Sequence, residues 1–141
     1  MKVLIVDDEQ EILDALDTYL TMQGYEVETC ASSTVAGERI KESSYSIIML
    51  DINMPKISGI ELLEDIKDVE PSCEVIMITG FNSLDKTLDA RDRGASEYLL
   101  KPLDMQNVRE VVEAAGDRVQ RWQNALGDAL KDSARRRRAK S

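Results

Sequence analysis

The chain has 141 residues, of which 43% are hydrophobic and 32% charged, the proportions of a folded domain with one core rather than of a disordered segment. It contains no histidine, which excludes Ser-His-Asp and Cys-His catalysis, His-ligated zinc, and a phosphohistidine on this chain. The net charge of −9 divides unevenly: residues 1–116 carry 10 basic and 24 acidic side chains, residues 117–141 carry 8 and 3, so the body is unsuited to nucleic acid while the end is basic.

Four short apolar runs organise the sequence. The first, Val3-Leu4-Ile5-Val6, leads directly into Asp7-Asp8. Ile12, Leu13, Leu16 and Leu20 then make the apolar stripe of a helix that should stop near Gly24. Tyr25 to Cys30 alternates as a short strand, and Ser32 or Ser33 can cap a second helix carrying Val35, Ala36 and Ile40. The second run, Ile47-Ile48-Met49-Leu50, ends on Asp51. After a loop with Pro55 and Gly59, a third helix turns Ile60, Leu62, Leu63 and Ile66 inward and stops before Pro71. Val75-Ile76-Met77-Ile78 ends on Thr79; Asn82 or Ser83 caps a fourth helix that stops at Gly94. Tyr98-Leu99-Leu100 ends on Lys101-Pro102, and a last helix starts near Asp104.

Continuous apolar runs separated by helical sequence read as strands buried on both faces of a parallel sheet. The expected fold is a three-layer α/β/α sandwich, a flavodoxin-like, doubly wound, five-stranded parallel sheet in the order 2-1-3-4-5. Cys30 and Cys73 sit on or beside separate strands without metal-like spacing and read as reduced structural thiols. No apolar run exceeds about four residues, far short of the ~20 of a membrane helix, and no signal-peptide core opens the chain; the expectation is a cytoplasmic protein.

In a sheet of this kind ligands bind beyond the carboxyl ends of the strands. Asp7, Asp8 and Asp51 should meet there with Thr79 and Lys101. Three ionised acids in one pocket repel, and a divalent cation with open water positions relieves them; an all-oxygen donor set suits Mg²⁺. Asp51 is then a candidate nucleophile towards phosphorus, with Lys101 neutralising phosphoryl charge and Thr79 donating a hydroxyl beside the close-approaching Gly80 amide. Taken singly, Thr79 reads as a capping hydroxyl and Lys101 as a surface lysine. The joint order is what points to a site.

Those residues lie in the segments LIVDDE at 4–9, IIMLDINMP at 47–55 with Gly59, MITG at 77–80 and YLLKP at 98–102. Over residues 1 to 118 the chain resembles the receiver domain of response regulators from two-component signalling. The resemblance implies that Asp51 is the phosphoacceptor and that Asp8, Asp51 and the backbone carbonyl of Asn53 ligate Mg²⁺, with Asp7 acting directly or through water. It implies that Thr79 and Lys101 contact the phosphoryl group, that Thr79 and Tyr98 form the switch, and that Lys101-Pro102 is a cis-proline junction. It places Asn53 and Phe81 where the phosphate lifetime is tuned. The implied partner is a histidine kinase or histidine phosphotransfer protein, and the implied role is regulatory.

A competing reading is a Mg²⁺-dependent phosphatase or hydrolase working through an aspartyl phosphate. Such enzymes carry a second acid two residues after the nucleophile, where this chain has Asn53. Beyond the receiver, residues 119–141 form a helical extension and basic tail. Val108, Val112, Ala115, Val119, Trp122, Leu126 and Ala129 step by four and three along the helix, a heptad seam that continues past the domain. Val119, Trp122 and Leu126 are expected to make a phosphorylation-dependent homodimer contact. Arg135 to Arg138 are expected to form a mobile solvated tail; a nucleic-acid binder would rest on those four arginines alone.

Overall fold

The computed structural model describes residues 1–80 and 83–140. Five βα units follow one another: β1 (Lys2–Val6), α1 (Gln10–Met22), β2 (Glu26–Cys30), α2 (Ser33–Glu42), β3 (Ile47–Asp51), α3 (Gly59–Val69), β4 (Glu74–Thr79), α4 (Leu84–Asp92), β5 (Glu97–Leu100) and α5 (Met105–Lys140). The strands form one parallel sheet in the order β2-β1-β3-β4-β5, as the sequence pattern predicts.

The apolar runs are uninterrupted because both sheet faces are covered. Successive side chains point to opposite faces, so Val3 and Ile5 join Leu13, Leu16 and Leu20 of α1 and Val108, Val112, Ala115 and Val119 of α5. Leu4 and Val6 join Ala36 and Ile40 of α2 and Leu62, Leu63 and Ile66 of α3 on the other side. A one-residue slip of any central strand would exchange those sets, which is what holds the register.

Local chemistry ends the elements. After α1, Gly24 takes φ +97°, and after α4, Gly94 takes φ +105°, the left-handed closure that glycine adopts without a Cβ penalty. The Ser32 hydroxyl caps α2 by accepting from the Val35 amide at 3.3 Å, and the Ser58 hydroxyl caps α3 by accepting from the Glu61 amide at 3.2 Å. Val35 faces solvent; the inward positions of α2 are Ser33, Ala36 and Ile40. Lys101 and Pro102 are joined by a cis peptide bond. Both cysteines are free and buried, and burial pushes the Cys73 thiol up to about 12. No helix among the described residues is long and apolar enough to cross a membrane.

Two expectations for the last helix are corrected. Val119 is buried against the body, because it still lies on the stripe of Val112 and Ala115 and reaches the end of the sheet. It belongs to the core and not to a free seam. Helix α5 also continues through Arg135–Arg138 to Lys140. Ala, Leu, Lys and Arg dominate that stretch and all are strong helix formers, and cations at a helix C-terminus complement its dipole.

Candidate functional site

The carboxyl edge of the sheet gathers the charged strand ends. Asp7 and Asp8 follow β1, Asp51 ends β3, Thr79 ends β4 and Lys101 follows β5. One carboxylate oxygen from each of Asp7, Asp8 and Asp51 lies within 4.8 Å of the others. Asp7 is fully buried and Asp51 nearly so, whereas Asp8 is exposed. The Glu9 amide donates to Asp7 Oδ1 at 2.8 Å and the Asn53 amide to Asp51 Oδ1 at 3.0 Å. Those bonds fix the orientation of each carboxylate.

Lys101 brings its ammonium in from the end of β5, two strands away from β3. Nζ stands 3.4 Å from Asp51 Oδ2, 3.2 Å from Asp7 Oδ2 and 2.9 Å from Glu9 Oε1. Burial opposes its charge, yet the Glu9 hydrogen bond and the Asp51 and Asp7 charges outweigh burial and hold its pKa above the usual lysine range. The acids respond in the opposite sense. Burial, with the nearby Asp51 charge, raises Asp7 to about 6 against the opposing Glu9 amide and Lys101. Burial likewise raises Asp51 above the usual carboxylate range, against the Asn53 amide and Lys101. One ammonium therefore leaves the acids under-neutralised.

The donor set fits a hard divalent cation. Three oxygens that close, two from partly desolvated carboxylates, favour a small ion that takes oxygen ligands and keeps waters. A cavity of about 280 Å³ lined by Asp8, Glu9, Asp51, Asn53, Gly80 and Lys101 opens above them. It has room for an ion and a phosphoryl group.

The loop between β3 and α3 is held from below. Ser33 Oγ donates to the Pro55 carbonyl at 2.7 Å and accepts from the Ile57 amide at 3.2 Å, bracketing Lys56, whose φ of 70° is unusual for a non-glycine residue. Gly59 packs so tightly that a Cβ there would collide with the Asp51 carbonyl and lie 2.8 Å from Ile52 Cα. Only glycine fits without moving Asp51.

Thr79 does not point at Asp51. Its hydroxyl lies 3.0 Å from Thr87 Oγ1 of α4 and 3.3 Å from the Gly80 carbonyl. Tyr98 pairs with Met77, two positions before the Thr79–Leu100 pair. It is half-buried against the α3–α4 side, its hydroxyl is buried without a hydrogen-bond partner among the described residues, and burial raises its pKa. Phe81 and Asn82 lie outside the described residues. Ser83 precedes α4, but no capping bond from its side chain is made; its hydroxyl accepts from the Asn53 side-chain amide.

Glu9, Lys86 and Thr87 have no role at the site in the sequence reading, and Ser33 figures there only as a possible helix cap. Glu9 follows the acid pair directly and could have been suspected as a partner of the lysine. The other three act across separate elements and leave no local pattern.

A family model for the response regulator receiver domain matches residues 3–113. The transcriptional regulatory protein ZraR of Escherichia coli (strain K12) is 32% identical over 113 residues, which are 80% of this chain and 26% of that protein. The chain thus spans about a quarter of the length of that relative. A solved receiver domain protein (CheY-like) from Methanospirillum hungatei JF-1 superposes with a TM-score of 0.81 at 32% identity, covering 85% of this chain and 96% of that one. A receiver domain protein from Clostridium thermocellum gives 0.77 at 35%, covering 86% and 96%. These matches set aside the hydrolase reading, since receivers are regulatory modules rather than enzymes. The acidic cluster at the strand ends, the sheet order and the matched span agree: the chain belongs to the response regulator receiver domain family of two-component signalling.

Proposed function

We propose that Asp51 accepts a phosphoryl group from a phosphohistidine on a histidine kinase or histidine phosphotransfer protein. Asp7, Asp8, Asp51 and the Asn53 carbonyl would hold Mg²⁺, which when bound neutralises acid charge and draws in phosphoryl oxygens. An Asp51 carboxylate oxygen attacks phosphorus; the new O–P bond forms as the donor N–P bond breaks, and the imidazole leaves with a proton from solvent. The Asn53 amide keeps the other Asp51 oxygen turned away. Lys101 neutralises charge on the phosphoryl oxygens. Thr79 donates its hydroxyl to one of them, and Tyr98 follows Thr79 in remodelling the face formed by α4, β5 and the start of α5.

The observation that carries this reading is the meeting of three carboxylate oxygens within 4.8 Å beside an ammonium 3.4 Å from Asp51. Acetyl phosphate or phosphoramidate with Mg²⁺ should add one phosphoryl mass, absent in Asp51→Asn and abolished by chelation. Labelling of Asp51→Asn at the wild-type rate would refute it.

Residues 1–118 act in this reading as a cytoplasmic receiver, and residues 119–141 as an extension through which a phosphorylated second copy is met. Trp122 and Leu126 are the exposed apolar side chains that support that contact.

A further inference from the structure

We propose that Thr87, in the first turns of α4, is a positioning residue that holds the Thr79 hydroxyl in the unphosphorylated form. Phosphorylation of Asp51 must then break the Thr79–Thr87 hydrogen bond and so uncouple α4 from the end of β4. This rests on the reading of Asp51 as the phosphoacceptor and of Thr79 as the hydroxyl that meets the phosphoryl group.

Thr87 Oγ1 lies 2.9 Å from the Ser83 carbonyl and 3.0 Å from Thr79 Oγ1. A threonine hydroxyl has one proton, and a carbonyl can only accept. The shorter contact takes the Thr87 proton to the Ser83 carbonyl, and in that arrangement the proton between the two hydroxyls comes from Thr79. The Gly80 carbonyl, at 3.3 Å from Thr79 Oγ1, is the more distant acceptor, and giving it the Thr79 proton would turn the Thr87 proton away from the 2.9 Å contact with Ser83 to fill the gap between the hydroxyls. Phosphoryl oxygens carrying negative charge are acceptors as well. The same Thr79 proton serves either Thr87 or the phosphoryl group, never both.

The residue before Thr87 reinforces the latch. Lys86 Nζ donates at 2.8 Å to the side-chain carbonyl of Asn53, two residues past Asp51. Consecutive residues of α4 thus hold the ends of both β3 and β4. Among the described side chains of α4, Ala90 alone is buried. The polar contacts of Lys86 and Thr87 tie the position of α4 to the site. Once Thr79 leaves, Thr87 still donates to Ser83, so no buried donor is orphaned and the latch opens at low cost.

Thr87→Val keeps the shape and removes the acceptor. It should shift the unphosphorylated population towards the form in which Thr79 faces Asp51, and raise the Mg²⁺-dependent rate of labelling by acetyl phosphate about fivefold, the ratio expected from one neutral hydrogen bond. Thr87→Ser, which retains the hydroxyl, should restore the wild-type rate. Amide resonances of Thr79 and α4 in unphosphorylated Thr87→Val should move towards their positions in the phosphorylated wild type. Wild-type rates and spectra in Thr87→Val would overturn the proposal while leaving the phosphoacceptor reading intact; a wild-type chain that takes no label on Asp51 would overturn both. If Thr87→Val does not fold, the wild-type spectrum decides: a Thr87 methyl resonance unmoved by phosphorylation overturns the latch, and a displaced one supports it.

Discussion

Asp7 is a carboxylate that the fold itself disfavours. It is fully buried, and burial together with the Asp51 charge lifts its pKa to about 6 despite the Glu9 amide and Lys101. In the unfolded chain an aspartate titrates near 3.9. Between those values the folded state holds more protons, so stability falls as pH rises. The Asp7 contribution is fully present below about pH 4 and lost by the time pH passes about 6. A two-unit shift corresponds to about 3 kcal/mol. Asp7→Asn should therefore stabilise the metal-free protein at pH 7.5 by about 2 kcal/mol, allowing for the lost Lys101 pair. Thermal unfolding in a chelator measures it, and the gain over wild type should close below pH 4. A gain that is unchanged at pH 4 would show that charge is not its cause. The site acids are legible in the chain because each ends an apolar run, but their inequality is not. Asp7 and Asp8 are adjacent in sequence, and only the packing around β1 makes one buried and the other exposed.

At the scale of elements, the loop from β3 to α3 is held at two points. Gly59 opens α3 against the Asp51 carbonyl, and Ser33 reaches across from α2 to bind both sides of Lys56. A methyl group at position 59 must displace the backbone that carries Asp51. Gly59→Ala should cost about 1–3 kcal/mol, the range for overpacking a tight site, and slow acetyl-phosphate labelling more than tenfold, since small displacements of reacting groups carry penalties of about 10²-fold. Urea unfolding and intact-mass labelling would separate the two effects; a variant with wild-type stability and rate would show that the loop yields freely. Strands and helix stops were readable because they follow from burial period and from glycine conformation. The contacts Ser33–Pro55 and Lys86–Asn53 span 22 and 33 residues, beyond any local pattern. The helical state of Arg135–Arg138, and not the extension of α5 past the domain, is what departs from the sequence pattern, for a different reason. A run of arginines suggests a solvated tail by charge, while the same residues favour helix by propensity.

For the whole molecule, the question is what the far half of α5 meets. Arg118 pairs with Glu74 and lies 3.9 Å from Glu97, and Glu74 also accepts from Ser96. With Val119 buried just beyond, this is the last point at which α5 is tied to the sheet. Past it Trp122, Leu126 and Leu130 are 55%, 49% and 63% exposed, and Trp122 and Leu126 line a cavity shared with Tyr45, Ser72 and Cys73 of the body. Burying a tryptophan and two leucines against a second copy would contribute a few kcal/mol at ~25 cal/mol per Å² of apolar area. Lost rotational freedom and side-chain ordering offset much of that, and the like-charged arginines of two copies oppose close approach. The expected result is a weak dimer, strengthened when phosphorylation remodels the face from which α5 departs. Sedimentation of the full chain should give a concentration-dependent dimer that is tighter after phosphorylation. A chain ending at Gln120, which keeps Val119 in the core, should remain monomeric, as should Trp122→Ala at moderate concentration. Added salt should tighten the full-length dimer by screening the arginines. If the full chain stays monomeric at high concentration in both states, the exposed stripe is not a self-contact, and Trp122 and its neighbours serve a partner of another kind.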